Sequence, residues 1–565
     1  MARASEPIKI DLIPTGVPNL DPILGGGLPA LSLTVIAGPA GSGKTTLAQQ
    51  IAFHNATPEH PAVHFATLGE PAVKLLRYQQ QFSFFDNAKV GRAVHFVDLS
   101  ETMGEGGTTK MLEKIREYVE RLSPAFVIID SFRAIEDLGG PAKRIVAHQL
   151  AMQLATWQCT GFLVGEYNEA EVGVGPEFTI ADNVILLTHD VQRNISVRRL
   201  RVVKLRGQAA LGGRHTFRIT RDGLQVYPHL AEAVPLEPVV ARGRATFGIP
   251  GLDEMLHGGI PRGQTTLVAG ASGTGKTLLA LHFVVEGARL GEPAVMATFE
   301  ESPAEHAEKM AAFGWDLADL ERRGLVQMVY LRPVDLTMDE VTNDIMLAVA
   351  RVKAQRVVVN SISGLSVALP TAEREDLREG LYHLGAYLNR LGITTILTTE
   401  VPDMFGQVRL SMEGISFLAD NTILLRFVEI ESELRKALMV VKMRTSDHDK
   451  ELREYTIGKR GLVVAKSFSQ YSGVMTGIPT LRTLLEPQPF TAGLTDQQEA
   501  VMRTLLALRE ATAQELAEAL GGPLEDTQAA LDRLLDTGYV VAVTRGGRRI
   551  YRVALVTPGS RPQGR

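Results

Sequence analysis

Residues 38–45 read GPAGSGKT, and residues 270–277 read GASGTGKT. Both match the phosphate-binding loop pattern G-x-x-x-x-G-K-[ST], whose glycines let backbone N–H groups close around phosphate oxygens. Each loop follows an apolar run that predicts a strand and precedes a helix-length segment, so the helix N-terminus favours an anion there. Each lysine is expected to reach the β- and γ-phosphates, and each threonine hydroxyl to bind Mg²⁺.

The two loops therefore predict two ATP sites, each with ATP and Mg²⁺ as its ligands. The residues expected to hold ATP are Gly38, Gly41, Ser42, Gly43, Lys44, Thr45 and Thr46 in the first site, and Gly270, Gly273, Thr274, Gly275, Lys276, Thr277 and Leu278 in the second.

The sequence around the loops is an internal repeat. TGVPNLD (15–21) matches FGIPGLD (247–253), and GGGLPA (25–30) matches HGGIPR (257–262). In each copy, short apolar runs such as LTVIAG (33–38) alternate with helix-length segments. This alternation predicts an α/β fold in which a mostly parallel sheet is covered by helices on both faces. The sequence thus predicts two tandem RecA-like P-loop domains, over residues 1–235 and 236–475.

The remaining residues show no phosphate-loop pattern. Three segments with Leu and Ala at helical spacing are followed by YVVAVTRGGRRIYRVALV (539–556), which predicts two strands around a Gly-Gly turn. Three helices and a β-hairpin predict a winged helix-turn-helix over 494–556, joined by a linker (476–493) and followed by a disordered tail (557–565).

The composition is that of an ordinary globular protein. The chain has 565 residues, 45% hydrophobic and 22% charged, and a formal net charge of −5. This charge excludes a global basic footprint, so any nucleic-acid contact must be local. The one cysteine, Cys159, the absence of a signal-peptide pattern and the lack of a long apolar run favour a cytoplasmic protein with no membrane contact.

Magnesium also requires a carboxylate at the end of a neighbouring strand. Asp130 closes AFVIID (125–130), whereas Asn360 takes the corresponding place in RVVVNS (356–361). An asparagine brings no charge, so the second site is expected to hold Mg²⁺ less tightly. The predicted metal-binding set is Thr45, Asp130, Thr277 and Asn360.

Hydrolysis needs a base or a water-orienting group beside the γ-phosphate. Glu300 and Glu301 directly follow AVMATF (294–299), and the first copy offers Glu70 after Gly69. Counting from the strand matches Glu70 with Glu301 and puts glycine at the Glu300 position, but a one-residue shift would put Glu70 in the first place. Both alternatives stay open at this point.

A Lys-x-Arg pair occurs late in each copy. Lys204 and Arg206 lie in VVKLRG, and Lys442 and Arg444 lie in VVKMRT. Side chains two residues apart on a strand point to one face, and two cations on one face suit an anion. In ring ATPases such cations can reach the γ-phosphate of a neighbouring subunit, although a solvated strand face is the alternative.

Together these motifs, with TFEESP (298–303), FGWDL (313–317) and LLRFVEI (424–430), resemble the KaiC family of tandem-domain ATPases in the RecA/RadA superfamily. The resemblance covers about residues 10–475. It implies a hexameric double ring, ATP bound between subunits, slow hydrolysis, autophosphorylation in the second domain and a regulatory protein partner. It also implies that the Lys-x-Arg pairs touch ATP of the adjacent subunit and that the glutamates activate water or the acceptor hydroxyl.

The chain departs from the family at the acceptor pair. Adjacent Ser and Thr fall on Ser416 and Phe417, so one phosphoacceptor survives, and a two-site phosphorylation cycle is not expected. An ordinary polar role for Ser416 is the alternative.

The C-terminal extension is a further departure. Its hairpin is basic, with Arg545, Arg548, Arg549 and Arg552, but the presumed recognition helix carries Glu525, Asp526, Asp532 and Asp536. Phosphate would repel that helix, so protein contact and DNA binding both stay open.

Two rival functions remain. The first is a RadA-like DNA recombination or repair ATPase, and the second is a non-catalytic scaffold or transcription regulator that uses ATP only to assemble.

Overall fold

The computed structural model of the protein describes residues 10–67, 72–139, 143–192, 195–229, 239–332, 336–369, 377–401, 419–430, 432–468, 471–472, 480–481, 494–545 and 547–553. The chain divides into two compact units, Met1–Thr480 and Leu481–Arg565. The first unit contains both copies of the repeat.

The first copy is built on a nine-stranded sheet, preceded by a short strand pair. Its strands are β1 (Leu12–Ile13), β2 (Leu28–Pro29), β3 (Leu33–Gly38), β4 (Ala62–Ala66), β5 (Val94–Asp98), β6 (Phe126–Asp130), β7 (Thr160–Glu166), β8 (Asn183–Gln192), β9 (Ile195–Leu205), β10 (His215–Thr220) and β11 (Gly223–Tyr227). The large sheet has the order β11-β10-β9-β8-β3-β7-β6-β4-β5. The strand that leads into the first phosphate loop, β3, therefore lies at its centre.

The helices of the first copy are α1 (Leu20–Ile23), α2 (Lys44–Asn55), α3 (Ala72–Gln79), α4 (Ser100–Leu122), α5 (Phe132–Gly139), α6 (Lys143–Thr156) and α7 (Pro176–Ile180), with a 3₁₀ turn at Asn87–Lys89. Helix α2 begins at Lys44, directly after the phosphate loop.

The second copy repeats this architecture. Its strands are β12 (Arg244–Ala245), β13 (Ile260–Pro261), β14 (Thr265–Gly270), β15 (Ala294–Thr298), β16 (Val326–Tyr330), β17 (Arg356–Asn360), β18 (Thr394–Glu400), β19 (Asn421–Ile430), β20 (Glu433–Met443), β21 (Arg453–Gly458) and β22 (Gly461–Ser467). Its helices are α8 (Pro250–Met255), α9 (Lys276–Leu290), α10 (Pro303–Ala312), α11 (Leu317–Arg322), α12 (Met338–Val352), α13 (Ile362–Ala368) and α14 (Leu377–Arg390). The sheet order β16-β15-β17-β18-β14-β19-β20-β21-β22 matches that of the first copy strand for strand. A short pair, β23 (Tyr471–Ser472) and β24 (Thr480–Leu481), follows.

Each sheet is parallel on one side and antiparallel on the other. From β5 across to β8 all pairings are parallel, and β8 to β11 form an antiparallel run. The predicted α/β fold with a mostly parallel sheet is confirmed. Alternate residues of the central strands belong to different hydrophobic clusters: Val35 packs in one and Ile36 in another, and Val357 and Val358 divide in the same way. Both faces of each sheet are therefore covered.

The C-terminal unit has a hydrophobic core of its own, which includes Leu505, Leu516, Leu531 and Tyr551. Its elements are α15 (Asp496–Leu508), α16 (Ala513–Leu520), α17 (Leu524–Asp536), β25 (Val540–Arg545) and β26 (Arg548–Val553). The strands form one antiparallel pair. Three helices and a strand pair occur in the expected order, while the winged helix-turn-helix assignment stays a prediction.

Candidate ATP sites

The first phosphate loop joins the central strand β3 to helix α2. The helix begins after Gly43, which has a φ of 97° and offers no side chain to the first-turn N–H groups. Those groups stay available for an anion, whereas α10 and α12 close their own N-termini with the capping boxes Ser302–Glu305 and Thr337–Glu340.

The Lys44 ammonium lies inside this loop and donates to the Pro39 carbonyl across 2.8 Å. Burial lowers the pKa of Lys44, and the carboxylates of Glu166 and Asp130 oppose that shift. The Ser42 hydroxyl is fully buried and has no hydrogen-bond partner within the described part of the chain. A buried donor without a partner beside a lysine fits a phosphate group.

The second loop has the same geometry. Lys276 donates to the carbonyls of Gly270 and Ala271 across 2.9 and 3.0 Å. Burial again lowers the lysine pKa, opposed by Glu400 and Glu300. The loop opens into a cavity of 380 Å³ whose lining includes Lys276, Thr277, Glu300, Glu301, Asn360 and Glu400, with Leu281, Phe313 and Ile457 on the apolar side. A charged end and an apolar end suit a nucleotide.

The metal position differs between the sites. Thr45 Oγ1 donates to Asp130 Oδ2 across 2.6 Å. In the second site, Thr277 Oγ1 lies 3.4 Å from Asn360 Oδ1, which also accepts from Thr398 Oγ1 across 2.8 Å. A hydroxyl beside a carboxylate is an oxygen set that fits Mg²⁺, and the second site presents the hydroxyl and a neutral amide.

The two glutamates of the second site have different partners. Glu300 Oε1 accepts from Ser361 Oγ across 3.1 Å at the edge of the cavity. Glu301 is held by Lys309, 2.5 Å away, and its carboxylate lies 3.6 Å from His306 Nε2. Of these two glutamates, Glu300 joins Glu400 in opposing the pKa shift of Lys276, while Glu301 pairs with Lys309 of α10.

In the first site, Gly69 and Glu70 lie outside the described residues. The register pairs Ala66 with Asp130 and Thr298 with Asn360, so Ala66 and Thr298 are equivalent strand ends. Counted from these ends, the second residue is Leu68 in the first copy and Glu300 in the second. This count puts leucine at the Glu300 position, whereas the two alternatives from the sequence put Gly69 or Glu70 there; the role of Glu70 stays a prediction.

Each site has a further carboxylate, at equivalent positions in the two copies, that the sequence analysis did not predict. Glu166 closes β7 opposite Gly38, and Glu400 closes β18 opposite Gly270. Each is the carboxylate that acts most strongly on the lysine of its loop. The signal was present, because both copies end this strand in glutamate, as GFLVGE (161–166) and TTILTTE (394–400).

The Lys-x-Arg pairs contact their own domain. Lys204 donates to the carbonyls of Phe178, Thr179 and Ala181, and Lys442 donates to Ala419. Arg206 pairs with Asp182 and Arg444 with Asp420, 3.2 and 3.7 Å apart. The two cations of each pair thus lie on one side, as expected, and their contact with a neighbouring subunit stays a prediction.

The remaining predicted residues are spread over the chain. Ser416 and Phe417 lie outside the described residues. On the C-terminal hairpin, Arg545 lies opposite Arg548 in the register of the two strands. Arg549 lies over the Tyr551 ring, 5.6 Å from its centroid. Arg552 pairs with Glu510, so this arginine already has an acidic partner.

None of the helices in the described ranges is both long enough and apolar enough to cross a membrane.

Comparison with known proteins points to one family. The family model described as the KaiC ATPase matches residues 13–231 and again residues 245–469. The chain is similar to the circadian clock oscillator proteins KaiC of Picosynechococcus sp., 29% identical over 484 residues, and of Rippkaea orientalis, 29% identical over 489 residues. These alignments cover 83% and 84% of this chain and 93% and 92% of the relatives. The circadian clock oscillator protein KaiC 1 of Synechocystis sp. is 29% identical over 486 residues, which cover 83% of this chain and 92% of that relative.

Proposed function

Because the chain belongs to the KaiC family of ATPases, we propose that it is a slow ATP-dependent switch whose two sites bind ATP but turn it over at different rates. The observation that carries this proposal is the unequal equipment of two otherwise matching loops. The first site has the Thr45–Asp130 pair, and the second has Asn360 in that place together with Glu300.

At each loop, the chain's own residues bind and orient ATP. Lys44 and Lys276 neutralise the terminal phosphates, and the free N–H groups of α2 and α9 hold phosphate oxygens. Mg²⁺, held through Thr45 and Asp130 or through Thr277 and Asn360, would neutralise charge on the β- and γ-phosphates. Glu300 accepts a proton from the attacking water or from an acceptor hydroxyl in the second site.

Fast turnover requires both a metal carboxylate and a positioned base; among the described residues, Asp130 supplies the carboxylate in the first site and Glu300 is the candidate base in the second. Substituting the lysine of one phosphate loop at a time separates the contributions of the two sites to turnover. In Lys44→Ala and Lys276→Ala variants, we expect ATP binding to be lost at one site only, and the two remaining steady-state rates to differ. Equal and fast rates from the two variants would overturn the proposal.

We further propose that the protein assembles into a hexamer with ATP between subunits. The support is the family and the exposed position of Arg206 and Arg444, whose side chains are 61% and 53% exposed. Native mass measurement with and without ATP tests this assembly. Phosphopeptide mapping of the same sample after incubation with γ-labelled ATP tests serine autophosphorylation at Ser416.

The C-terminal unit is proposed to carry the output of the switch by contacting a protein, either a cytoplasmic regulatory partner or a neighbouring subunit. The sequence of helix α17 favours a protein partner over DNA, because the carboxylates of Glu525 and Asp526 in its first turn would repel phosphates. A salt-dependent affinity for duplex DNA that is lost in Arg545→Glu/Arg548→Glu would favour DNA instead.

A non-catalytic role for the second site is the specific alternative. It is favoured by the Asn360 amide oxygen, which lies closer to Thr398 than to Thr277. Loss of assembly without loss of hydrolysis in Lys276→Ala would support that role.

A further inference from the structure

The hairpin β10–β11 of the first domain lies directly against the first phosphate loop. A Cβ added to Gly43 would lie 2.7 Å from Ile219 Cδ1, so the hairpin reaches the loop itself. Helix α2 is tied to the other strand, because Leu224 N donates to Gln50 Oε1 across 2.7 Å and Gln50 Nε2 donates to Leu224 O across 3.3 Å. One face of the hairpin therefore belongs to the first ATP site.

The opposite face of the same strand is bonded to the second domain. Side chains alternate along β10, so Arg218 points away from Phe217 and Ile219. Arg218 Nε donates to Glu340 Oε1 across 2.5 Å, and Nη2 donates to Oε2 across 3.0 Å. Two parallel hydrogen bonds fix the orientation of the guanidinium relative to the carboxylate, and the Glu340 side chain is only 9% exposed.

The neighbouring acid, Asp339, joins the same contact. Asp339 Oδ2 accepts from Thr216 N and Oγ1 across 3.1 and 2.9 Å, and Oδ1 lies 2.8 Å from His229 Nδ1. The first turn of α12 is thus held by a backbone N–H and three side chains of the first domain. Movement of the hairpin must move this turn or break the bonds.

Helix α12 leads on to the second ATP site. Glu340 Oε2 also accepts from Thr337 N and Oγ1 and so caps α12. Along the helix, Val341 and Ile345 pack in one cluster with Ala297 and Phe299. Strand β15 runs to Thr298 and Glu300 follows two residues later, so α12 supports the segment that carries this glutamate.

The second copy of the hairpin, β21–β22, has no charged residue at the position of Arg218. Tyr455 takes the place of Phe217 as the third residue of its strand, and Thr456 takes the place of Arg218. Tyr455 donates its hydroxyl to the Thr274 carbonyl and so fixes the second loop to its own sheet. The arginine contact is therefore a feature of the first copy and not of the repeat in general.

We propose that Arg218, Asp339 and Glu340 form an interdomain clamp that couples ATP occupancy of the first site to the position of Glu300 in the second. This inference rests on the proposed function, because it requires the first site to bind ATP. The residues act through α12 and touch no reacting atom, so they are positioning residues. The test measures the response of the second site to ATP bound in the first.

The test uses the full chain with the Lys276→Ala substitution, so that ATP fills only the first site. Hydrogen–deuterium exchange is followed in peptides from α12 and from residues 294–301, with and without ATP. We expect ATP to change exchange there by about fivefold, the lower end of usual coupling between sites. Adding Arg218→Gln should abolish this response while labelled ATP remains bound to the first site.

Two matched variants keep the result interpretable. Glu340→Gln keeps a side chain able to cap α12 with Thr337 but removes the charge, and it should also abolish the response. Arg221→Gln removes an exposed arginine from the turn of the same hairpin and should leave the response intact.

An unchanged response in both clamp variants would overturn the clamp. If the Lys276→Ala chain retained no labelled ATP, the proposed function of the first site would fail, and the clamp with it.

Discussion

The Thr45 hydroxyl donates to the Asp130 carboxylate across 2.6 Å, and this contact marks the clearest chemical difference between the two ATP sites. At the equivalent position, Thr277 faces the neutral Asn360 amide across 3.4 Å. The strand order and the buried lysine are shared by the two sites. Substitutions at Asp130 and Asn360 therefore test the contribution of one charge to the metal site.

Asn360→Asp should strengthen Mg²⁺ binding at the second site, because it restores the carboxylate beside the Thr277 hydroxyl. We expect the Mg²⁺ concentration for half-maximal ATP binding to fall by about 10- to 100-fold in a Lys44→Ala background. The matched change Asp130→Asn, measured in Lys276→Ala, should raise it by a similar factor. A Mg²⁺ titration that is unchanged by the Asn360→Asp substitution would contradict this account.

Glu300→Gln should lower second-site turnover by about 100-fold or more and leave ATP binding in place, as loss of a positioned base does. Glu301→Gln should have a much smaller effect, since Lys309 and His306 hold that carboxylate. Single-turnover hydrolysis in a Lys44→Ala background compares the two variants directly. A larger loss in Glu301→Gln would reverse the assignment.

Glu166→Gln and Glu400→Gln should each affect the site to which they belong. Each carboxylate lies at the strand end beside its loop and favours the charged form of its lysine. Removing it should lower turnover more than ATP affinity, because the lysine still meets the phosphates. The measurement compares kcat with ATP affinity for each variant, with Glu166→Gln in the Lys276→Ala background and Glu400→Gln in the Lys44→Ala background. An effect on the opposite site alone would rule this out.

The stability of the second domain should fall in acid because of His282. Its Nε2 accepts from Leu462 N across 3.0 Å, and burial lowers the pKa of this imidazole to about 4. Between the ordinary pKa of 6.5 and this value, the unfolded chain binds a proton that the folded chain does not. The free energy of unfolding should therefore decrease as pH falls, by up to about 1.4 kcal/mol per pH unit.

The fluorescence of Trp315 reports on this region, because its ring centroid lies 4.8 Å from that of His282. Urea unfolding in a Trp157→Phe chain, at pH about 7 and about 5, measures the change. His282→Gln provides the control, since Gln50 makes the equivalent bond to Leu224 in the first domain. An equally steep pH dependence in that variant would place the effect elsewhere.

Local patterns were sufficient for much of the fold and of the ATP sites. The strand predicted at 33–38 coincides with β3, and the loop glycines and lysines lie where the motif requires. Such features depend on neighbouring residues, and the repeat supplied a second example of each. Glu166 and Glu400 carried the same kind of signal and were missed because no motif names them.

Contacts between distant segments could not be predicted in this way. Arg218 and Glu340 are 122 positions apart and belong to different copies of the repeat. Their pairing depends on how the antiparallel strands β9 to β11 extend the first sheet and on where α12 meets it.

The hairpin β10–β11 also makes the contact between the two copies asymmetric. Its outer face contacts helix α12 of the second copy through Thr216 and Arg218. The corresponding face of β21–β22 carries Val463, which is 52% exposed. The two copies share one fold, but a change at Arg218 of the first hairpin meets Glu340, which is encoded further along the same chain, whereas the equivalent Thr456 of the second hairpin is exposed. The two hairpins are therefore not interchangeable, and a substitution in the first one bears on the contact between the copies.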